Sequence, residues 1–296
     1  MPSRTPAEHE EPLVSSVLAW FDAHERPLPW RSSSPWGVLV SEFMLQQTPV
    51  DRVLPVWQAW MRRWPDPAGL AAAPLSEALR AWGRLGYPRR AKRLHEAARI
   101  IVEQHGGTVP EQEAALRALP GVGEYTAAAV RSFAFGRRAV VMDTNVRRVL
   151  ARTLDGRALP VAHITEQERS RADALWPSAD DRGARWSAAV MEFGALVCTA
   201  RALSCADCPV VHRCTWTSLG QPVDATAPRR QAAYHGSDRQ ARGHVLSILR
   251  AREEPTSSTD LLDGWPDPEQ ARRALDSLIS DGLVTESRAG HYALAG

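Results

Sequence analysis

The cysteines of this chain are confined to one short segment. All four, Cys198, Cys205, Cys208 and Cys214, lie within the sequence CTARALSCADCPVVHRC. Thiolates are the soft ligands that iron-sulfur clusters and zinc require, and this spacing lets four of them converge on one centre. Disulfides are the alternative, but they need an oxidising compartment, and we find no apolar signal segment that would lead there. A metal site is therefore predicted, and the spacing itself leaves zinc and iron both open.

Two acidic residues could carry acid-base or electrostatic chemistry. Glu42 lies in the apolar helical segment SEFMLQQT, and desolvation there would favour its protonated form, as a general acid requires. A buried ion pair with one of the many arginines is the alternative for Glu42. Asp143 follows the apolar residues VVM and precedes a helix that starts at Thr144. It is an N-cap by position, and that role is compatible with catalysis.

The segment Leu119-Pro-Gly-Val-Gly123 lies between two helical stretches, Glu113 to Ala118 and Tyr125 to Phe135. Its proline ends the first stretch, and Gly121 and Gly123 leave the backbone amides unobstructed. Free amides at a helix N-terminus bind anions such as a DNA phosphate. The pattern predicts a helix-hairpin-helix over residues 113–135, and an ordinary corner between helices is the alternative.

The elements that must position these residues are helical over most of the chain. From residue 13 to about 200, apolar residues recur at intervals of three and four. We predict a disordered N-terminus at 1–12, a helical domain at 13–216 that includes a cysteine loop at 198–214, and a linker at 217–237. With 296 residues and 44% hydrophobic content, the chain can bury a large core, and no run reaches transmembrane length.

Residues 238–296 predict a small second domain. Three short helices are predicted, from Gly243 to Arg250, from Ser257 to Leu262 and from Pro268 to Ser280. They precede two strands around a glycine turn in GLVTESRAGHYALAG. This order is typical of a winged helix, which serves DNA contact or protein docking equally well.

Positive charge in this chain is almost entirely arginine, since Lys92 is the sole lysine and the net charge is +2. Guanidinium groups suit phosphate, although such runs are usually solvated helix faces. The arginine clusters are Arg89, Arg90 and Arg93; Arg147, Arg148 and Arg152; and Arg229 and Arg230.

Residues 13 to about 214 together resemble the helix-hairpin-helix DNA glycosylases. LPGVG, the later Asp143, and four cysteines spaced six, two and five apart occur in the order found in the iron-sulfur branch of that superfamily. The resemblance implies a mainly α, two-lobed fold with a [4Fe-4S] cluster loop, followed here by the small winged-helix-like α+β domain. It also implies that Glu42 and Asp143 share one cavity.

Within that branch the chain is similar to the MutY-type adenine glycosylases. Endonuclease III needs a lysine shortly after LPGVG, whereas this chain reads Gly123-Glu-Tyr-Thr126, with Tyr125 at the place that matters. Trp30-Arg31 and SEFMLQQTPV are also close to the MutY pattern. The resemblance implies base excision repair by a monofunctional enzyme that removes adenine mispaired with 8-oxoguanine or guanine. An oxidised-pyrimidine glycosylase like endonuclease III, or a non-catalytic DNA-binding relative, is the alternative.

The resemblance also assigns roles to individual residues. Glu42 would protonate the adenine ring, Asp143 would stabilise the cationic sugar, and Tyr125 and Asn145 would position both. Contacts to DNA, to the adenine and to the opposite base would come from Trp30, Arg31, Leu45, Gln47, Thr48, Val50, Leu85, Tyr87, Gly121 and Gly123. The cysteines at 198, 205, 208 and 214 would hold the cluster.

Three departures from the family pattern stand in this sequence. Ala188 replaces a glutamine or glutamate that often contacts adenine, DTNV replaces DGNV, and no Nudix-like domain follows for recognising 8-oxoguanine. We expect a monomer that acts on double-stranded DNA with a mispaired adenine, without a membrane, in the bacterial cytoplasm at the nucleoid.

Overall fold

The computed structural model describes residues 6–201, 203–223 and 234–296. The α-helices in these ranges, in chain order, are α1 (Pro6–His24), α2 (Pro35–Leu45), α3 (Val50–Arg63), α4 (Pro67–Ala72), α5 (Leu75–Trp82), α6 (Arg89–His105), α7 (Glu113–Ala118), α8 (Glu124–Phe135), α9 (Thr144–Thr153), α10 (Glu166–Leu175), α11 (Asp180–Leu196), α12 (Thr215–Ser218), α13 (Asp238–Ala251), α14 (Ser258–Leu262) and α15 (Pro268–Ser280). Short 3-10 turns occupy Pro29–Ser32, Cys205–Asp207 and Val211–Arg213.

The strands form one small antiparallel sheet near the C-terminus. Its members are β1 (Thr256–Ser257), β2 (Val284–Arg288) and β3 (His291–Leu294), in the order β1-β3-β2. The mainly α fold with a small C-terminal α+β domain is thus confirmed. In the described ranges, the helices are all too short or too polar to cross a membrane.

Contacts between residues divide the chain into two units. The first comprises residues 1–38, 111–117 and 122–228, and the second comprises 39–110, 118–121 and 229–296. The second unit combines part of the predicted helical domain with the C-terminal domain, so the units differ from the predicted domains. The predicted domain boundaries stay predictions. Of the predicted disordered segment at 1–12, residues 6–12 are helical in α1 and 1–5 lie outside the described residues. Part of the predicted linker, 224–233, lies outside them too, with Arg229 and Arg230.

The core of the first unit is built by α1, α9, α10 and α11. Val146, Val149 and Leu150 recur along α9 at three- and four-residue intervals, so one face of that helix is apolar. They pack in one buried cluster with Phe21 of α1 and Phe193 of α11. This packing fixes the start of α9, where Asp143 lies.

Tryptophans dominate the core of the second unit. The ring of Trp60 lies edge-on to that of Trp64 at 4.8 Å and to that of Trp82 at 5.6 Å between centroids. These geometries are the ones aromatic pairs prefer. The cluster holds α3 and α5 together, and α4 and α5 pack on α6.

The C-terminal domain differs in two details from the sequence-based prediction. Helix α13 begins at Asp238, because the side chain of Ser237 caps it by accepting from the amide of Gln240. Strand β1 was not predicted, since a segment of 2 residues carries no alternation that could reveal it.

Candidate active site

The N-terminus of α9 holds the carboxylate of Asp143. Its Oδ1 accepts the amide of Val146 at 2.7 Å, and its Oδ2 accepts Nδ2 of Asn145 at 2.7 Å. Burial raises the pKa of Asp143 above its ordinary value, although these hydrogen bonds and the charge of Arg148 oppose that rise. The backbone cap and the side-chain donor therefore fix both carboxylate oxygens of the half-buried Asp143.

Asn145 is held in turn by Arg148. The guanidinium of Arg148 donates to Oδ1 of Asn145 at 2.8 Å and to the carbonyls of Gly194 at 2.6 Å and Cys198 at 2.8 Å. At Gly194 a Cβ would lie 2.8 Å from the carbonyl oxygen of Asn145, so only glycine allows this approach of α11 to α9. A continuous set of hydrogen bonds thus joins Asp143 to the first cysteine of the loop.

Sequence reasoning missed this function of Arg148. The signal was its spacing, because Asn145 and Arg148 are three residues apart and therefore share one face of α9.

All four cysteines line one cavity of the first unit, together with Arg152 and Trp216. None of them forms a disulfide. Arg152 donates to the sulfur of Cys198 at 3.4 Å and to the carbonyl of Thr199 at 2.8 Å. Burial raises the pKa of Cys208 to about 11, so its thiolate form is disfavoured unless a cation is bound.

Four cysteine thiolates are a donor set that iron-sulfur clusters and zinc ions both use. In the part of the chain that the structure describes, no group of three or more His, Cys, Asp or Glu side chains is arranged to hold one metal ion. A [4Fe-4S] cluster binds each cysteine through a different iron, so its four thiolates lie farther apart than the ligands of one zinc ion. Four thiols around one cavity are compatible with such a cluster.

A second polar centre of the first unit surrounds Glu192 of α11. Its Oε1 accepts from the backbone amide and the Nε of Arg26, both at 2.9 Å, and its Oε2 accepts from Arg26 and Arg31, both at 2.8 Å. Burial alone would raise the pKa of Glu192, but the hydrogen bonds from Arg26 and the charge of Arg31 outweigh it, and the pKa is lowered. The carboxylate therefore stays ionised and fixes the guanidinium of Arg31.

Glu192 was not predicted from the sequence, although Ala188, one helical turn earlier, was recognised as a departure from the family pattern. Residues four apart on a helix share a face, so the carboxylate absent at Ala188 is present one turn later. Trp30, next to Arg31 in the turn Pro29–Ser32, is 6% exposed. These positions are compatible with the predicted roles of Trp30 and Arg31, which stay predictions.

The predicted helix-hairpin-helix consists of α7, the turn and α8. Gly121 has φ of 83°, and a Cβ there would lie 2.7 Å from the ring of Phe43, so both its conformation and its surroundings require glycine. Gly123 is the N-cap of α8 and has open space where a Cβ would be. Tyr125 is half-buried in the first turn of α8.

In the second unit, Glu42 lies on α2 and is 5% exposed, amid the buried side chains of Leu39, Phe43 and Met44 in the same helix. Glu42 is thus buried as expected, and its role as a proton donor stays a prediction beside the alternative of a buried ion pair. Leu45 ends this helix and Val50 begins α3, both half-buried.

The predicted DNA-contacting residues Gln47 and Tyr87 share an uncommon backbone conformation. Their φ angles are 55° and 46°, in the left-handed region that non-glycine side chains avoid. Both side chains are exposed, and Tyr87 keeps 41% of its surface open to solvent. Strain of this kind persists only where the surrounding structure holds it, and it is common at ligand-contacting sites.

One buried arginine, Arg90 of α6, holds both strained loops. Its guanidinium donates to the carbonyls of Phe43 (2.8 Å), Met44 (2.9 Å), Gln46 (2.6 Å), Leu85 (3.4 Å) and Gly86 (3.1 Å), and to Oγ1 of Thr48 (3.0 Å). Burial lowers the pKa of Arg90 to about 10, so it remains charged at neutral pH. Gln47, Thr48, Leu85 and Tyr87 are thus brought together around a residue that the sequence had indicated only as part of a basic cluster.

Comparisons with known proteins indicate the family of this chain. Residues 40–172 match the family described as HhH-GPD superfamily base excision DNA repair protein. An adenine DNA glycosylase of Mycobacterium tuberculosis is 49% identical over 285 residues, which cover 95% of this chain and 93% of that protein. The uncovered remainder of this chain is far shorter than the C-terminal domain, so the similarity extends into that domain.

Solved structures show the same fold. A thermostable thymine-DNA glycosylase superposes with a TM-score of 0.64 at 27% identity, over 72% of this chain and 98% of that one. Endonuclease III in a non-covalent DNA complex gives 0.63 at 22% identity, over 73% and 99%, a likeness of fold alone. With its hairpin, its capped aspartate and this similarity along nearly its whole length, the chain belongs to the adenine DNA glycosylases of the HhH-GPD superfamily.

Proposed function

We propose that this chain is a monofunctional adenine DNA glycosylase that hydrolyses the N-glycosidic bond of adenine mispaired with 8-oxoguanine or guanine. The observation that carries the proposal is the half-buried carboxylate of Asp143, which is fixed at both oxygens by Val146 and Asn145. A fixed carboxylate is what an oxocarbenium-like sugar requires for stabilisation as the base leaves.

Glu42 is the proposed proton donor. Protonating a ring nitrogen of adenine turns a poor leaving group into a good one as the glycosidic bond stretches. A glutamic acid has a reference pKa of about 4.3, so it needs apolar surroundings to retain its proton near neutral pH. The burial of Glu42 within α2 supports this role.

Asp143 then faces the positive charge that develops on the deoxyribose. It either stabilises this charge through space or adds to the anomeric carbon, as carboxylates of retaining glycosidases do, before water completes the hydrolysis. Tyr125 and Asn145 position the sugar and the aspartate.

The target base must leave the stack before this chemistry, at a cost of a few kcal/mol that is lower at a mispair. The exposed Gln47 and Tyr87, fixed by their strained loops, are the side chains proposed to fill the gap and to contact the opposite base, together with Thr48 and Leu85.

Strand cleavage is not part of the proposed activity, because no lysine follows LPGVG to form a Schiff base. Lys92 is the sole lysine, and its Nζ donates to the carbonyl of Asp281 at 3.0 Å and pairs with Glu96 at 3.7 Å. The amine of Lys92 therefore contributes to holding the structure together.

The finer proposal for the cysteine loop is that Cys198, Cys205, Cys208 and Cys214 hold a [4Fe-4S] cluster. When bound, the cluster cross-links the loop and supplies no hydrolytic chemistry. The chain's own contribution is the donation from Arg152 to Cys198 and the packing of Trp216 beneath Arg152, with 4.9 Å between the guanidinium carbon and the ring centroid.

A single-turnover assay tests this function. The full chain is mixed in excess with duplexes carrying adenine opposite 8-oxoguanine, adenine opposite guanine, thymine opposite guanine, or thymine glycol. We expect adenine release, with strand breaks only after alkali. Excision of thymine opposite guanine, or of thymine glycol with direct nicking, would overturn the assignment.

The Glu42→Gln variant tests the proton donor. We expect excision to be abolished while the affinity for DNA is retained, because the amide keeps the shape but donates no acidic proton. Glu103→Gln, an exposed substitution on α6, is the control that keeps wild-type excision. Normal excision by Glu42→Gln would remove Glu42 from the mechanism.

A further inference from the structure

The C-terminal domain is attached to helices α5 and α6 of the same unit by polar contacts. Asp281, whose side chain is 7% exposed, accepts from Arg89 of α6 and, at 2.6 Å, from Arg242 of α13. Burial would raise the pKa of Asp281, but these two arginines outweigh it and the pKa is lowered. The carboxylate therefore stays ionised and bridges a helix of the C-terminal domain to α6.

Further contacts add to this attachment. Arg250 of α13 donates to the carbonyl of Leu79 at 3.0 Å, and Arg80 of α5 donates to the carbonyl of Arg252 at 3.1 Å. Lys92 donates to the carbonyl of Asp281 at 3.0 Å. Side chains of the C-terminal domain and of α5 and α6 therefore both hold the domain in place.

A groove of about 1210 Å³ runs between α13 and the loops that carry Gln47 and Tyr87. Its size exceeds the upper end of small-molecule pockets, about 1,000 Å³. Its lining is strongly basic: it contains Arg52, Arg84, Arg89, Arg90, Arg93, Arg239, Arg242 and Arg250. The sole carboxylate among its lining residues is Asp281, which is already engaged.

This concentration of charge is not a property of the whole chain, whose net charge is only +2. A basic groove of this size attracts a polyanion. Gln47 and Tyr87 line the same groove, so its ligand would be the duplex that these two residues are proposed to contact.

The lining also shows which part of the C-terminal domain faces the ligand. Arg239, Arg242, Gly243 and Ser247, all on α13, line the groove, while no residue of Pro268–Ser280, which forms α15, does so. In helix-turn-helix proteins a later helix reads base edges in the major groove. Here the groove is lined by arginines of α13, and α15 does not reach it. This predicts contacts with phosphates that do not depend on the DNA sequence.

We propose that the groove between α13 and the Gln47 and Tyr87 loops binds the phosphodiester backbone of the DNA duplex beside the flipped nucleotide. The C-terminal domain is then a second phosphate clamp. This inference deepens the proposed function and rests on it in assuming a duplex held at Gln47 and Tyr87.

Affinity for undamaged duplex DNA tests the clamp separately from excision. Fluorescence anisotropy with a labelled duplex is measured over a series of salt concentrations for the full chain, for Arg239→Gln and for Ser247→Glu. Arg272→Gln, an exposed arginine on α15 outside the groove, is the matched control.

We expect Arg239→Gln to weaken binding and to reduce the slope of log Kd against log salt by about 0.9, the value for one phosphate contact. Ser247→Glu places a negative charge in the groove and should weaken binding further, whereas Arg272→Gln should match the wild type. Unchanged affinity and slope in both groove variants would overturn the proposal, and would leave an acidic protein segment as the occupant to seek. If the wild-type chain does not excise adenine although the groove variants change the salt slope as expected, the result counts against the proposed function alone.

Discussion

Asn145 and Asp143 form a hydrogen bond of 2.7 Å in which the side-chain amide of Asn145 donates to Oδ2 of Asp143, while the backbone amide of Val146 donates to Oδ1. Arg148 holds the opposite atom of the same amide at 2.8 Å, which fixes which end of Asn145 faces the aspartate. Asn145 therefore acts through Asp143 as a positioning residue, and its effect should appear in the ionisation of that acid.

The Asn145→Ala variant should shift the pH dependence of adenine excision. Asp143 must be ionised to stabilise a cation, so the rate falls as pH falls through its pKa, which burial already raises. Without the Asn145 donor the pKa rises further, and the acid limb of the single-turnover profile moves to higher pH. At neutral pH the loss of one charge-assisted hydrogen bond, about 1.5–3 kcal/mol, slows excision roughly 10- to 100-fold.

Thr144→Ala is the matched control for this prediction, since Thr144 is exposed in the same helical turn. An Asn145→Ala profile that is lower at every pH but has an unshifted acid limb would argue against the positioning role.

Arg90→Met should disorganise the loops of Gln47 and Tyr87. The substitution leaves buried carbonyls without their charged donor, and breaking such a buried network costs about 3 kcal/mol or more. Urea unfolding should show that loss, and the affinity for mispaired DNA should fall more than the affinity for undamaged duplex. Arg99→Gln, exposed on the same helix, should stay within about 0.5 kcal/mol. If the variant lost affinity for mispaired and undamaged DNA equally, Arg90 would affect only the general stability of the protein.

The sequence revealed residues whose roles follow from their local context. Asp143 was identifiable because an apolar run leads into a helix start, and Gly121 because a turn after proline needs positive φ. The order of the helices and the hairpin of the C-terminal domain followed from periodicity and turn residues.

Residues that act through distant partners were not identifiable in this way. Arg90 receives its role from carbonyls more than forty positions earlier in the chain, at Phe43 and Met44, and backbone carbonyls leave no mark in a sequence. Glu192 is fixed by Arg26 across a separation of 166 positions. The left-handed backbone of Gln47 and Tyr87 is likewise imposed by tertiary contacts and not by residue type.

Glu192→Gln should destabilise the first unit and loosen Arg31. Removing one partner of a buried ion pair destabilises a protein by about 3–5 kcal/mol. We expect about 3 kcal/mol here, because the side chain of Arg26 is 34% exposed. The pKa of Glu192 is lowered in the folded state, so its contribution is complete above its unfolded pKa of about 4.3 and is lost as pH falls further. The difference in unfolding free energy between wild type and variant should therefore shrink below about pH 4.3.

Urea unfolding at several pH values measures this difference. Asp181→Asn, an exposed acid on the same helix α11, should show no comparable change. A gap between wild type and Glu192→Gln that persists at acid pH would assign the effect to packing and not to charge.

Cys205→Ala should remove the proposed cluster. Protein purified without oxygen is expected to carry about four irons per chain and a broad visible absorption, and the variant should lose both, because each cysteine of a [4Fe-4S] cluster ligates it. Ser204→Ala, the exposed neighbour, is the control that should keep both signals. Since Arg148 links the carbonyl of Cys198 to Asn145, loosening the loop should also move the acid limb of any residual excision to higher pH, as Asn145→Ala does. Zinc in place of iron in the wild-type protein, measured by elemental analysis, would contradict the cluster while leaving the hydrogen bonds to Asp143 as described.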